Sequence, residues 1–288
     1  MAGTASTTAV SVARRLWDVS EPIAGSVYFA PEVQQRYEAL GLSYPEGYFW
    51  SRSAAMGTLT PSAVSATFAV FNPDIVRPLL SAAQAKADRE TVLEARRRGM
   101  GEALRRMLGD LDVRPAADAL RPVAEAGEPH GRPLYAGLRD LPWPDDAHQA
   151  LFFACDLVRE YRSDGHVAVW TSLGWHPIEV MALTELFWGM SIGTHMRTRV
   201  WPHERVGEVV ADLRARGLIE DDDRLTAEGL GLRRDIEERT DAAMGAMVDA
   251  AEREGAERVL GLVRPLARRV LEAGGYPIDP ETQRGLNR

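Results

Sequence analysis

The 288-residue sequence has one cysteine, one lysine and no long apolar run. A lone cysteine, Cys155, excludes an internal disulfide and any metal site built from several thiolates. No apolar stretch approaches the roughly 18–20 residues that a membrane-spanning helix needs. The first residues also lack the basic start and continuous apolar core of a secretory signal. We therefore expect a cytoplasmic protein that does not insert into a membrane.

Basic residues are in the minority, with 34 Lys and Arg against 42 Asp and Glu, and a formal net charge of −8. Lys86 is the single lysine, so all the other residues in the Lys and Arg total are arginines. Non-specific affinity for DNA comes mainly from neutralised phosphates. The acidic balance therefore disfavours DNA binding, although a local basic face would still permit it.

The stretch 201–234 predicts a helix, a short two-stranded ribbon and a second helix. Pro202 suits a first helical turn, and apolar residues over 206–213 recur at helical spacing. Gly217 suits the left-handed backbone conformation that often ends an α-helix, and Thr226 can cap the following helix. This order is typical of the back half of a winged helix-turn-helix, and it resembles the corresponding segment of MarR-type regulators.

A similar order of motifs occurs earlier in the chain, which indicates an internal repeat. The Phe-Trp pair at Phe49 recurs at Phe187, and in each half a helix that begins at a proline follows, at Pro61 and at Pro202. Chance similarity between short helices is the alternative explanation. If the repeat is real, the chain is a fused pseudo-dimer of two winged-helix units.

We accordingly predict a mainly α fold, a tandem winged helix-turn-helix of MarR-like, pseudo-dimeric form with small β-wings. A degenerate N-terminal unit covers residues 10–110, and a connector rich in Pro, Gly and Ala covers 111–144. A C-terminal unit with long terminal helices covers 145–288. The chain itself is expected to be a monomer or a homodimer.

The two helices at the recognition position differ in charge. The first, over 60–71, carries no charged residue, whereas the second carries Arg205 and Arg214 among several acids. A helix that binds in the major groove needs donors for phosphates and base edges. Arg205 and Arg214 are therefore weak candidate DNA contacts, and at least half of the DNA-binding surface is expected to be lost.

Six segments, in their order along the chain, resemble the SalK-like fused winged-helix family of actinobacteria. They are SEPIAGSVYFAPEV, GYFWSRSAAMG, ATFAVFNPDIV, GRPLYAGLRDLPWP, LVREYRSDGHVAVW and LTAEGLGLRRDIEERTD. The resemblance spans about residues 12–271 and implies an all-helical tandem MarR-like architecture, but little about activity. The sequence departs from the family pattern at Ala24, where His is usual, and at Tyr161 and Ser163.

The densest group of polar residues is Arg159, Glu160, Arg162, Asp164 and His166. On a continuing helix Glu160 and Asp164 share a face, and either could orient His166 as a general base. The group could instead bind an anionic or amide ligand. In the alternative interpretation, Asp164 and the next glycine end one helix and Arg162 pairs with an acid. His166, Asp164 and Glu160 are the catalytic candidates if the protein is an enzyme.

Aromatic residues near one arginine could line a cleft between the halves. Arg52 could bind the carboxylate or phosphate of a ligand there, whereas core packing beside a surface arginine is the simpler alternative. The same two interpretations apply to the aromatic pair in the second half. The candidate ligand-binding residues are Tyr48, Trp50, Arg52, Met56, Phe68, Arg162, Phe187 and Trp188.

No motif indicates a metal or a cofactor. The four histidines between 166 and 203 lack the i, i+4 spacing of a helical zinc site. There is no nucleotide loop, nucleophile elbow or dinucleotide fingerprint. The sequence favours a protein that binds a small aromatic or anionic molecule on a regulator-like scaffold. A biosynthetic enzyme that uses the same interdomain pocket and a DNA-binding transcriptional regulator are the alternatives.

Overall fold

The computed structural model describes residues 10–283, and helices make up most of them. The mainly α fold is therefore confirmed. The helices are α1 (Val12–Gly25), α2 (Pro31–Ala39), α3 (Tyr44–Ser53), α4 (Pro61–Phe68), α5 (Pro73–Lys86), α6 (Arg89–Leu108), α7 (Arg114–Glu125), α8 (Pro133–Arg139), α9 (Ala147–Ser172), α10 (Pro177–Phe187), α11 (His203–Ala215), α12 (Ala227–Ala242), α13 (Gly245–Arg253), α14 (Ala256–Glu272) and α15 (Pro280–Gln283). Short 3₁₀ turns lie at Ser26–Tyr28, Ala54–Met56 and Met196–Arg199. None of the helices in the described part of the chain is long and apolar enough to cross a membrane.

The helix ends around α11 and α12 follow the sequence signals. Gly217 has left-handed backbone just after α11, with φ of 71°. The Thr226 hydroxyl accepts a hydrogen bond from Gly229 N and so caps α12. Between them, Ile219 and Leu225 form one antiparallel bridge, and no strand extends it within residues 10–283. The β-wings expected from the sequence are thus reduced here to a single bridge.

Helix α9 continues through Asp164 and Gly165. In the alternative interpretation of the sequence, these two residues would have ended a helix. It runs for 26 residues, to Ser172. A Cβ on Gly165 would lie 2.6 Å from Nη1 of Arg132. The glycine therefore serves close packing of the Arg132 side chain against α9, and the backbone remains helical.

Helix α9 is the central helix, because five others pack against it: α1, α6, α7, α8 and α12. The segment 111–144, expected to be a connector, forms α7 and α8 and contributes Leu120 and Tyr135 to the main core. A smaller core lies beneath α10 and α11 around Ile178 and Leu213, and Val70 from the N-terminal part packs against it. The two parts of the chain are therefore interlocked.

Replacing Gly99 with alanine tests the close crossing of α6 over α2. The new Cβ would lie 2.8 Å from Val33 Cα, a backbone atom that moves only if α2 shifts. We expect Gly99→Ala to lower the free energy of unfolding by about 1–3 kcal/mol, the usual cost of overpacking. Urea denaturation measures the change.

The matched control is Gly231→Ala, in the exposed face of α12, where an added Cβ meets nothing within 4 Å. Alanine should raise stability there by about 0.5–1 kcal/mol, because it loses less backbone entropy in a helix. If both substitutions stabilised the protein equally, the close approach of α6 to α2 at Gly99 would be contradicted.

Candidate functional site

A cluster of tyrosine and arginine side chains joins the N-terminal and C-terminal parts of the chain. We call it the tyrosine–arginine cluster. Its members are Tyr28, Tyr48, Arg52, Phe71, Arg159, Glu160 and Arg199. A capping box of Ser43 and Glu46 starts α3, and Tyr48 and Arg52 then fall one turn apart on the same face.

The carboxylate of Glu160 is held by two guanidinium groups. Arg52 forms a bidentate pair with it, from Nε to Oε1 at 2.8 Å and from Nη2 to Oε2 at 2.7 Å. Arg159 Nη1 donates to Oε1 at 2.7 Å. Burial opposes ionisation of Glu160, but the charges of Arg52 and Arg159 outweigh it and lower its pKa to about 2. Glu160 is therefore a fixed negative charge at neutral pH.

Arg159 links this carboxylate to α1. Its Nε lies 3.0 Å from Oε2 of Glu21, and its Nη1 donates to the Tyr28 hydroxyl oxygen at 3.1 Å. Burial raises the pKa of Tyr28 to about 12, although the charge of Arg159 opposes that rise. The phenol is therefore protonated, and its O–H proton remains available to an acceptor.

Arg199 is a guanidinium group that no carboxylate of the described residues 10–283 neutralises. Its Cζ lies 4.7 Å from the Phe71 ring centroid, and Nη1 donates to the Thr198 hydroxyl at 2.5 Å. Burial lowers the pKa of Arg199, and the positive charges of Arg52 and Arg159 lower it further against the opposing effect of Tyr48. Arg199 is thus held among like charges.

The cluster has an excess of one positive charge. Arg52 and Arg159 are paired with two carboxylates, Glu160 and Glu21 of α1, and Arg199 is the third cation. The neighbouring Arg96 is matched separately, by Asp156 at 3.0 Å.

Three exposed apolar residues are neighbours of cluster members, two of them in sequence and one in space. Phe29, Tyr44 and Val200 are 49%, 47% and 42% exposed, which is unusual for such large residues here. Phe29 follows Tyr28, Val200 follows Arg199, and the Tyr44 ring centroid is 6.4 Å from that of Tyr48.

Residues 199–201, which we call the strap, bring Arg199 into the cluster. Asn72 N donates to Arg199 O and Asn72 Nδ2 donates to Val200 O, both at 3.0 Å. Trp201 Nε1 donates to Val70 O at 2.8 Å. The strap is therefore tied to the loop between α4 and α5, in the other part of the chain.

A second cluster lies at the other end of the α1–α9 contact, and we call it the tryptophan–arginine cluster. Its members are Arg14, Trp17, Arg162, Phe187, Trp188, Arg233 and Glu237. The Trp17 and Trp188 rings stack with centroids 6.5 Å apart. Glu237 pairs with Arg14, Arg162 and Arg233. The cations here share two carboxylates on α12, because Asp241 also pairs with Arg14 and Arg162.

The ligand-binding candidates therefore do not form one cleft. Tyr48, Arg52 and Phe68 belong together, since Arg52 Cζ lies 4.8 Å from the Phe68 ring centroid. Trp50 is 1% exposed and donates from Nε1 to Ala87 O at 2.8 Å, so it is a core residue. The others lie apart from this cluster: Arg162, Phe187 and Trp188 in the tryptophan–arginine cluster, and Met56 beside Gly137 of α8.

The three catalytic candidates make separate contacts. Glu160 is bound by arginines, and Asp164 Oδ2 accepts from Tyr135 N at 3.0 Å. His166 Nδ1 lies 3.1 Å from the Thr240 hydroxyl, which donates to Ile236 O. Burial lowers the pKa of His166 well below its ordinary value, as do nearby arginines. No hydrogen bond among the described residues joins His166 to either carboxylate.

The arginines on α11 and on the turn after it are paired with acids on the same surface. Arg205 Nη1 lies 2.8 Å from Glu208, and Arg214 pairs with Asp223 of the turn after α11. Similar pairs are Arg216–Asp212 and Arg224–Asp222. Phosphate contacts from these side chains would have to replace existing ion pairs.

Within residues 10–283 no group of three His, Cys, Asp or Glu side chains is arranged to hold a metal ion. Sequence reasoning missed Tyr28, Arg199 and Asn72 as residues of a site. Asn72 before a proline does predict the start of α5, which it caps through Asp74 N. Nothing in the local sequence indicates that its amide also holds the strap.

Comparison with known proteins gives a match to a family model. The model of a helix-turn-helix family matches residues 13–277. No curated protein and no solved structure matches.

Replacing Asp164 with asparagine tests its buried position. Burial, helped by the charge of Glu160, raises the pKa of Asp164 to about 7 against the opposing Tyr135 N–H. In the unfolded chain the carboxyl ionises near pH 4. Its contribution to stability is therefore complete below about pH 4 and is lost as the pH rises through 7.

We expect Asp164→Asn to gain stability relative to the wild type between pH 5 and pH 8, by at least about 1.4 kcal/mol. Denaturant unfolding at several pH values measures this difference. The control is Asp140→Asn, at an exposed carboxylate after α8, whose difference from the wild type should stay constant. A constant difference for Asp164→Asn as well would refute the assignment.

Proposed function

This chain belongs to the helix-turn-helix family whose model matches residues 13–277, and we propose that it binds a small aromatic anion on a regulator-like scaffold. The ligand would occupy the tyrosine–arginine cluster, between the N-terminal and C-terminal parts. The finer assignment, a tandem winged helix of MarR-like and SalK-like type, is part of this proposal.

The excess positive charge of the cluster is the observation that carries the proposal. A partly buried guanidinium group without a carboxylate partner is costly. Arg199 is such a group, and it is linked to Arg52 through Phe71 and Tyr48, because Arg199 lies over the Phe71 ring, which contacts Tyr48, the hydrogen-bond partner of Arg52. One negative charge from outside the chain would balance the cluster. A monoanion such as a carboxylate fits this charge, and guanidinium groups bind carboxylates with strong, charge-assisted hydrogen bonds.

The rest of the cluster indicates that the anion carries a ring. Tyr28 and Tyr48 have centroids 4.8 Å apart, and Tyr48 and Phe71 have centroids 5.6 Å apart. Such rings stack on or meet the edge of an aromatic ligand. The Tyr28 hydroxyl already accepts from Arg159, so its proton can go to the ligand. Cationic and aromatic groups thus converge on one place.

DNA binding is the competing function that membership of the family suggests. The paired arginines of α11 and of the turn after it do not favour it. The enzyme alternative is not supported, because His166, Asp164 and Glu160 have separate partners.

A gel-shift titration with the promoter of the protein's own operon tests the DNA alternative. We expect only weak binding that does not depend on sequence, with a Kd of about 10⁻⁶ M or weaker at physiological salt, which is typical of non-specific contacts. Tight, sequence-dependent binding that falls steeply with salt, and is weakened by Arg205→Ala, would instead favour a DNA-binding regulator.

Calorimetric titration with benzoate, a minimal aromatic monoanion, tests the ligand site. Arg199→Met should weaken benzoate binding at least about tenfold, since a hydrogen bond to a charged group contributes about 1.5–3 kcal/mol. The matched control is Arg197→Met, because Arg197 lies on the same turn but is exposed. It should bind benzoate as the wild type does.

Thermal unfolding without ligand separates binding from folding in the same pair of variants. Arg199 lacks a carboxylate partner among residues 10–283, so Arg199→Met should not lower the melting temperature. Equal benzoate affinity in the wild type and Arg199→Met, or no benzoate binding by the wild type at millimolar concentration, would contradict the proposed site.

A further inference from the structure

The strap lies between the tyrosine–arginine cluster and the first residue of α11. Residues 199–201 end two positions before His203, where α11 begins. On the other side, Glu185 of α10 accepts from Gly193 N and Met196 N, both at 2.7 Å, so the preceding turn is anchored. The chain before Arg199 is therefore held against α10, whereas the chain after it leads into α11.

The strap also contacts α10, the helix that precedes it in the chain. The Trp201 ring lies 5.6 Å from the His176 ring, centroid to centroid, and His176 caps α10. One short segment therefore touches α10 and leads directly into α11.

Both the strap and the α4–α5 loop that receives it contain a residue with an unfavourable backbone conformation. Val200 has φ of 59° and Ala69, in the loop that receives the strap, has φ of 40°. Left-handed backbone at residues other than glycine costs about 1–3 kcal/mol each. For Val200 the cost is opposed by the contacts described above, chiefly the two hydrogen bonds from Asn72.

Electrostatic repulsion acts against the strap when the cluster is empty. Arg199 is the strap's side chain in the cluster, and the charges of Arg52 and Arg159 disfavour its charged form. A bound anion would remove this repulsion and attract Arg199 instead. The same two arginines keep Glu160 ionised near neutral pH, so the excess of positive charge remains even with this carboxylate fully charged.

We propose that an anion in the tyrosine–arginine cluster tightens the strap and so holds α11 in place, with Asn72 as the residue that positions Arg199. This inference rests on the proposed ligand site, but it makes a further claim about the empty protein. Without ligand, removing the charge of residue 199 should itself tighten the strap. Binding of the anion would then control how firmly α11 is held in place.

Hydrogen exchange of the full chain, followed by mass spectrometry on peptides that cover residues 199–206, tests the proposal. Benzoate should slow exchange of these amides in the wild type about fivefold, as expected for about one additional hydrogen bond. Arg199→Met should exchange more slowly than the wild type without ligand and should not respond to benzoate. Arg197→Met, on the same turn, should behave as the wild type.

Asn72→Ser tests the positioning role. Serine can still cap α5, but it cannot reach Val200 O as the Asn72 amide does. Exchange over residues 199–206 should become about fivefold faster, and benzoate affinity should fall although Asn72 is not proposed to touch the ligand. A purely structural role would leave benzoate affinity unchanged once the folded fraction is taken into account.

The outcomes distinguish the two proposals. If benzoate binds to the wild type but exchange over residues 199–206 does not change, the coupling is wrong and the ligand site stands. If benzoate does not bind, the ligand site is wrong, and the comparison of Arg199→Met with the wild type still decides the claim about repulsion. Faster or equal exchange in Arg199→Met overturns that claim.

Discussion

Charges buried along α9 must be neutralised where they lie, and this requirement determines how the surrounding helices meet. Removing one partner from a buried ion pair costs about 3–5 kcal/mol, because the other charge is left in a poorly solvated place. Each pair on α9 involves a different helix, so together they fix its position and rotation. The pairs are Arg96–Asp156 with α6, Glu21–Arg159 with α1, Arg52–Glu160 with α3 and Arg162–Glu237 with α12.

Local signals in the sequence predicted much of the secondary structure. The apolar spacing before Gly217 and the cap at Thr226 locate α11 and α12, because both depend on neighbouring residues alone. The same reasoning left open whether Asp164 and the next glycine end a helix. It could not show that Arg132, far away in sequence, packs over that glycine. The tandem repeat and its unit boundaries remain predictions.

In the candidate site, too, the sequence predicted some members, whereas others depend on tertiary contacts. Tyr48, Arg52 and Phe68 were singled out from the sequence, and they lie together. Phe187 was expected in the same cleft but belongs to a separate cluster, because periodicity does not reveal which end of a long helical contact a side chain reaches. Arg199 ends a 3₁₀ turn of four residues, which is too short for a periodic pattern, so its place in the cluster depends on tertiary contacts alone.

The insertion of Val70 into the smaller core has a consequence for how such proteins can change over evolution. The core beneath α10 and α11 is completed by a side chain that lies more than a hundred positions earlier. A C-terminal unit recombined into another chain would lack that side chain and the acceptor for the Trp201 indole. Helices α10 and α11 and the loop between α4 and α5 therefore depend on each other, so changes within the whole chain are an easier route to new specificities than exchange of separate modules.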